Sequence, residues 1–201
     1  MINTEKEIQK LIDDKYIKNG WFNGDIKDLL FKDADKKIIK CIERAVKPTK
    51  LATEEKIKSI FRPFSLFPIQ ETKFVVMGQA PYPENEERIT GLLFLFDTDK
   101  NQKTDELMKN IFTLSNQLDN KTSFELWTPN TTRCVRTNKI LFLNTALTFE
   151  SAENAQNHNE SWKPFIDKIL SEVINLKKES GEASSFLWIK HQQNVLLQKI
   201  S

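Results

Sequence analysis

Lys73-Phe74-Val75-Val76-Met77-Gly78-Gln79-Ala80-Pro81-Tyr82-Pro83 decides the fold class. Phe74 to Met77 are apolar at consecutive positions, and Gly78 ends the run. A half-exposed strand would alternate; an unbroken apolar run bounded by glycine reads as a strand buried on both faces of a parallel sheet. Two more stretches have this texture: Ile140-Leu141-Phe142-Leu143-Asn144 and Ser185-Phe186-Leu187-Trp188-Ile189. Between them Trp162, Phe165, Ile166, Ile169, Leu170 and Val173 recur at helical spacing. Gly91 to Phe96 is a further apolar stretch, strand or loop, and Leu107, Ile111, Phe112 and Leu114 mark a helix over about 104–117. Residues 192–200 read as a last helix. Strands alternating with helices give an α/β class: a three-layer sandwich whose short central parallel sheet, three to four strands, has helices on both faces.

Upstream of this core the first 60 residues read as helical. Thr4-Glu5-Lys6-Glu7 fits a capping box, and Ile8, Leu11, Ile12 and Tyr16 follow at helical spacing until Lys18-Asn19-Gly20. Trp21 and Phe22 read as core anchors and Asn23-Gly24 as a turn. A second helix is expected over Asp33 to Val46, with Ile38, Ile39, Ile42 and Ala45 on one face, and Thr53 opens a third that ends near Phe61. No repeat, linker or low-complexity segment interrupts the chain. The expectation is one domain over 1–201, a helical part over 1–60 and a βα core over 61–201.

The composition bounds the function. The chain has 201 residues, 39% hydrophobic and 29% charged, which is a globular balance with enough length for a core. No apolar run approaches the roughly 18 residues of a membrane helix, and the start lacks the pattern of a secretory signal. With two cysteines, Cys41 and Cys134, neither a four-thiolate metal site nor a disulfide framework can form. They read as free, buried thiols, so no metal or cofactor is expected and the compartment is a reducing cytoplasm, of a bacterium or of a virus's host. The net charge is +2 with no strongly basic segment, which argues against a dedicated duplex-DNA reader.

In a parallel sheet, function sits beyond the carboxyl ends of the strands. Three segments qualify: Gly78-Gln79-Ala80-Pro81-Tyr82-Pro83, Asn144-Thr145-Ala146 and Lys190-His191-Gln192. The first resembles the G-Q-D-P-Y-H water-activating motif of the uracil-DNA glycosylases. Its surroundings resemble that family in order and spacing. Ile60-Phe61-Arg62-Pro63-Phe64 precedes the strand; Gly91-Leu92-Leu93-Phe94 looks like the family's G-L-C-F; Asn110-Ile111-Phe112 looks like its N-I-Y helix. Leu141 to Thr148 resembles its L-L-L-N-T-V-L-T, Asn157-His158 through Trp162 and Phe165 its S-H-x-x-x-G-W-x-x-F, and Phe186-Leu187-Trp188 its F-L-L-W strand. The resemblance covers about residues 55–201.

The resemblance implies a pocket for an extruded uracil. In it Phe94 would stack on the base, Asn144 would read its edge with a donor and an acceptor, Tyr82 would exclude a C5 methyl, and Gln79 would help through its backbone. It also implies lost chemistry. The aspartate that positions water and stabilises the cationic sugar is Ala80 here. The histidine that stabilises the departing uracil belongs to an H-P-S-P-L segment expected after a fourth strand, and Ser201 comes before it. His158 and His191 match neither role. The proline-rich loop of the DNA clamp has become Asp97 to Lys103, and its Gly-Ser pair Ile189-Lys190. Removing one transition-state donor costs about 10²–10³ in rate, so two losses and an eroded clamp imply negligible cleavage.

Each residue also has a plainer reading. Asn144 could cap a turn, Phe94 could be core and Tyr82 could stiffen a Pro-Tyr-Pro turn. Pro81, His158, Lys190 and His191 are candidate contacts to nucleic acid or a partner; the plainer reading of His158 and His191 is a surface or satisfied polar histidine, and an exposed lysine at 190 needs no such purpose. The expectation is a catalytically impaired homologue that keeps the base pocket. Its candidate partners are uracil or single-stranded DNA, and a DNA-mimic glycosylase inhibitor or another protein, with no membrane. The alternative is a weak or altered glycosylase that uses Glu84, Glu86 or Glu87. An iron–sulfur class of the superfamily also carries alanine at the motif position, but it needs four cysteines.

Overall fold

The computed structural model describes residues 3–46, 53–78, 91, 131–151, 153–181, 184–190 and 194–200, the last two segments as backbone. In chain order these form α1 (Thr4–Asp13), α2 (Gly24–Phe31), α3 (Lys37–Ala45), α4 (Thr53–Ile60), short 3-10 turns at Arg62–Ser65 and Ile69–Glu71, β1 (Phe74–Gly78), α5 (Thr131–Asn138), β2 (Ile140–Asn144), α6 (Ala155–Ser180), β3 (Ser184–Lys190) and β4 (Asn194–Ile200).

The three strands read from apolar runs are present. The sheet order is β2-β1-β3-β4, and β1 runs parallel to both neighbours. Val75 to Gly78 of β1 and Ile140 to Leu143 of β2 are buried throughout, the condition under which strands lose alternation. The result is an α/β sandwich on a short, mostly parallel sheet. The last helix expected over 192–200 is not formed by Asn194–Ile200. β4 is a strand antiparallel to β3, with Lys190 opposite Asn194 and Ser184 opposite Ile200. A nine-residue helix is marginal in water without packing, whereas pairing with β3 takes up the backbone N–H and C=O groups of every second residue of the segment.

Differences at the N-terminus have local causes. The cap of α1 is Asn3, whose side chain accepts from the Lys6 amide at 3.1 Å; Thr4 is the first helical residue and is buried, so no Thr4–Glu7 capping box forms. The helix ends at Asp13, before Lys15 takes a positive φ of 57°, and not at Lys18. Asn23-Gly24 is not a free turn but the start of α2, which buries Ile26 and Leu30. The helix expected from Asp33 begins at Lys37; Asp33 instead accepts the Lys37 amide at 3.0 Å. Ile38, Ile39 and Ile42 of α3 are buried as expected. The helix expected over 104–117 lies outside the described residues, and α5 carries no apolar periodicity that would have announced it.

One hydrophobic cluster joins the N-terminal helices to β1, β2 and α6. Its centre is aromatic. Phe22 meets Phe61 at 5.4 Å and Phe165 at 5.6 Å between ring centroids, and Trp162 meets Phe165 at 5.5 Å, all edge-on. Edge-to-face pairs place the positive ring edge against the negative face. Trp21 is fully buried and donates its indole N–H to the Phe67 carbonyl at 2.6 Å. Cys41 is a free, buried thiol whose pKa is raised by that burial, which keeps it protonated. No helix among the described residues is long and apolar enough to cross a membrane.

Candidate functional site

In the strand order β1 is flanked by β2 on one side and β3 on the other, the arrangement in which parallel sheets hold their ligands beyond the carboxyl ends of the strands. Gly78 ends β1 and stands opposite Asn144, which ends β2. The Thr145 amide donates to the Gly78 carbonyl at 2.9 Å and ties the two ends together just past the last rung.

Asn144 is half-buried, and its Oδ1 is shut off from solvent with no hydrogen-bond partner. A buried amide oxygen left unpaired costs about 1–3 kcal/mol, so this acceptor has unused capacity for a hydrogen-bond donor. Beside it the Thr145 hydroxyl donates to Asn159 Oδ1 at 3.2 Å, and Asn159 is exposed on the second turn of α6.

Behind Asn144 the loop from β2 to α6 is held by a buried polar chain. The Trp162 indole N–H donates to Thr148 Oγ1 at 2.6 Å, and Thr148 Oγ1 lies 2.7 Å from His158 Nδ1. If the hydroxyl gives its one hydrogen to Nδ1, the imidazole proton sits on Nε2, which faces Glu150 Oε2 at 3.9 Å. His158 is 1% exposed. Its reading as a surface contact is therefore corrected: the side chain is inside, where it fastens the loop that follows Asn144 onto α6.

Burial lowers the His158 pKa, with Arg44 acting the same way and Glu150 opposing. Protonation then favours the unfolded chain, where the value is about 6.5. Above that value neither state binds the proton and stability is full; as the pH falls through it, the unfolded chain takes up more protons and stability is lost. Urea unfolding at about pH 7.5 and about pH 5.5 is expected to show a loss that shrinks in His158→Gln. An equal loss in both chains would refute the assignment.

Gly91 opens the stretch that carries Phe94. It has a φ of +73°, and a Cβ built on it would lie 1.6 Å from the Ser59 carbonyl oxygen and 3.0 Å from Arg62 Cβ. The chain therefore passes against the end of α4 at a spacing open only to glycine. Arg62 in turn donates to Thr132 Oγ1 at 3.0 Å and connects this corner to α5.

Of the residues singled out from sequence, Gln79, Ala80, Pro81, Tyr82, Glu84, Glu86, Glu87, Phe94 and His191 lie outside the described residues. Lys190 ends β3 and is described by its backbone. Asn144 and His158 are the two whose side chains are seen, one at the mouth and one behind it. Sequence reading took in Thr145 and Thr148 only as members of longer segments, with no role of their own, and passed over Glu150 and Asn159. A signal existed for the first two, since both follow a buried strand's carboxyl end.

No family model matches the chain. It is similar to the uracil-DNA glycosylase of Pseudomonas paraeruginosa, 28% identical over 140 residues that make up 67% of this chain and 54% of that protein. The uracil-DNA glycosylase of Campylobacter jejuni subsp. doylei is 30% identical over 123 residues, 59% of this chain and 48% of that protein. The chain thus spans about half the length of the curated relatives it matches. In fold it is similar to the crystal structure of wild-type UNG from Nitratifractor salsuginis, with a TM-score of 0.60 at 17% identity, covering 96% of this chain and 91% of that one.

Proposed function

We propose that this chain, a relative of the uracil-DNA glycosylases, acts by binding a uracil-type base, free or in single-stranded DNA, and cleaves the glycosidic bond poorly or not at all. The observation that carries this reading is the buried, unpartnered Oδ1 of Asn144 at the carboxyl end of β2. A uracil edge offers an imide N–H beside a carbonyl oxygen, and a carboxamide offers the matching acceptor and donor. Gln79, Tyr82 and Phe94 complete the pocket in this reading, with Pro81, Lys190 and His191 as outer contacts. Ala80 supports the loss of cleavage: a methyl group can neither hold a water nor stabilise a cationic sugar. A protein partner, such as a DNA-mimic glycosylase inhibitor, fits the same reading as a ligand of the retained face.

Titration with free uracil, and with a single-stranded oligonucleotide holding one deoxyuridine, tests the pocket. Binding is expected for both, weakened at least about tenfold by Asn144→Ala, since two hydrogen bonds of roughly 1 kcal/mol each are lost. Uracil release is expected at background. Turnover above background that disappears in Asn144→Ala would replace this reading with the alternative, a weak glycosylase using Glu84, Glu86 or Glu87.

A further inference from the structure

We infer that Asn159, oriented by Thr145, is a contact to the nucleic-acid backbone at the mouth of the base pocket, its Nδ2 donating to a phosphate oxygen of a nucleotide flanking the bound base. This rests on the base-binding reading of Asn144.

Three linked observations place it there. The Thr145 amide is bound to the Gly78 carbonyl at 2.9 Å, which holds Thr145 at the carboxyl edge of the sheet directly after Asn144. The Thr145 hydroxyl donates to Asn159 Oδ1 at 3.2 Å. Asn159 is exposed on α6. A lone exposed asparagine samples many rotamers and both faces of its amide. Here the oxygen is engaged by a residue that is itself tethered to β1, which orients the amide and leaves its NH₂ group as the donor on the side away from Thr145. A chain that delivers a base to Asn144 must carry its sugar and phosphates past this rim. Asparagine amides are among the side chains that contact phosphate, and such contacts set register without reading sequence. Ordering in advance matters because each side chain immobilised on binding subtracts from affinity. A neutral donor also displaces no counterion, so its contribution is independent of salt, unlike that of a lysine.

The test uses the full chain, a labelled single-stranded oligonucleotide with one deoxyuridine, and free uracil as a second ligand. Asn159→Ala is expected to weaken oligonucleotide binding about three- to tenfold with an unchanged salt slope. Asn159→Asp removes both donors and places a carboxylate against phosphate, so about tenfold or more is expected. Free uracil has no backbone, and its affinity is expected to stay the same in both variants. Oligonucleotide binding by Asn159→Asp within about twofold of the unaltered chain, while Asn144→Ala loses uracil, overturns this inference and leaves the base pocket standing. Absence of uracil binding in the unaltered chain overturns the base pocket and this inference with it.

Discussion

Gly91→Ala is expected to destabilise the protein by about 2–5 kcal/mol. Two costs add. A non-glycine residue at φ +73° loses roughly 1–2 kcal/mol to its own backbone. The new methyl would also stand 1.6 Å from the Ser59 carbonyl oxygen, a distance no carbon and oxygen can share. The obstacle is backbone in a helix, not the end of a flexible side chain, so α4 or the chain at 91 has to move, at a further cost of about 1–3 kcal/mol. Gly181→Ala is the control. Gly181 has a similar φ of +69° at the end of α6, but nothing lies within 4 Å of its added Cβ. Its loss is expected near 1 kcal/mol. Urea midpoints for the two variants check this; equal losses would mean that the close approach to Ser59 has no energetic weight.

Trp162→Ala is expected to cost about 3–5 kcal/mol, the range for removing a large buried aromatic. Trp162 is fully buried and packs edge-on against Phe165 at 5.5 Å and Phe61 at 6.3 Å. Its indole also supplies the donor for Thr148 Oγ1 at 2.6 Å. A domain of this kind is stable by about 5–15 kcal/mol, so the variant stands near the edge of folding. Trp162→Phe separates the contributions. It keeps most of the ring and loses the donor, while Thr148 still has His158, and about 1–2 kcal/mol is expected. Denaturant unfolding decides: if phenylalanine costs as much as alanine, the hydrogen bond and not the packed volume dominates. Because Thr148 follows Asn144 by four positions, Trp162→Phe is also expected to weaken uracil binding more than its small loss of stability suggests.

The parts of the fold legible in sequence are those whose local pattern and tertiary setting agree. β1 and β2 read correctly because burial on both faces demands apolar residues at nearly every position, and β3, with the same apolar texture, pairs with β1 as a parallel strand. α6 read correctly because Trp162, Phe165, Ile166, Ile169 and Val173 are all buried on one face. Asn194 to Ile200 did not, because Val195, Leu196, Leu197 and Ile200 suit a helix or an edge strand, and only the neighbouring β3 decides between them. α1 was given the wrong cap because asparagine and threonine are both good caps, and Thr4 is drawn into the core. The site divides in the same way. The position of Asn144, at the carboxyl end of a buried strand, was legible from the apolar run before it. The engagement of His158 with Thr148, and of Thr145 with Asn159, joins residues 10 and 14 positions apart. No spacing rule pairs them.

The amino-acid sequence by itself determined the α/β class, the buried parallel strands β1 and β2 and the aromatic anchors of the core. Those properties depend on the chemistry of single residues and on short-range periodicity. The tertiary structure decided the rest: β4 as an antiparallel edge strand, His158 as an interior fastening and not a contact, Gly91 as a point of close approach, and Asn159 as the acceptor of the Thr145 hydroxyl. Each of these depends on what a side chain or strand meets across the fold. Such meetings are set by the packing of distant segments, which local sequence does not encode.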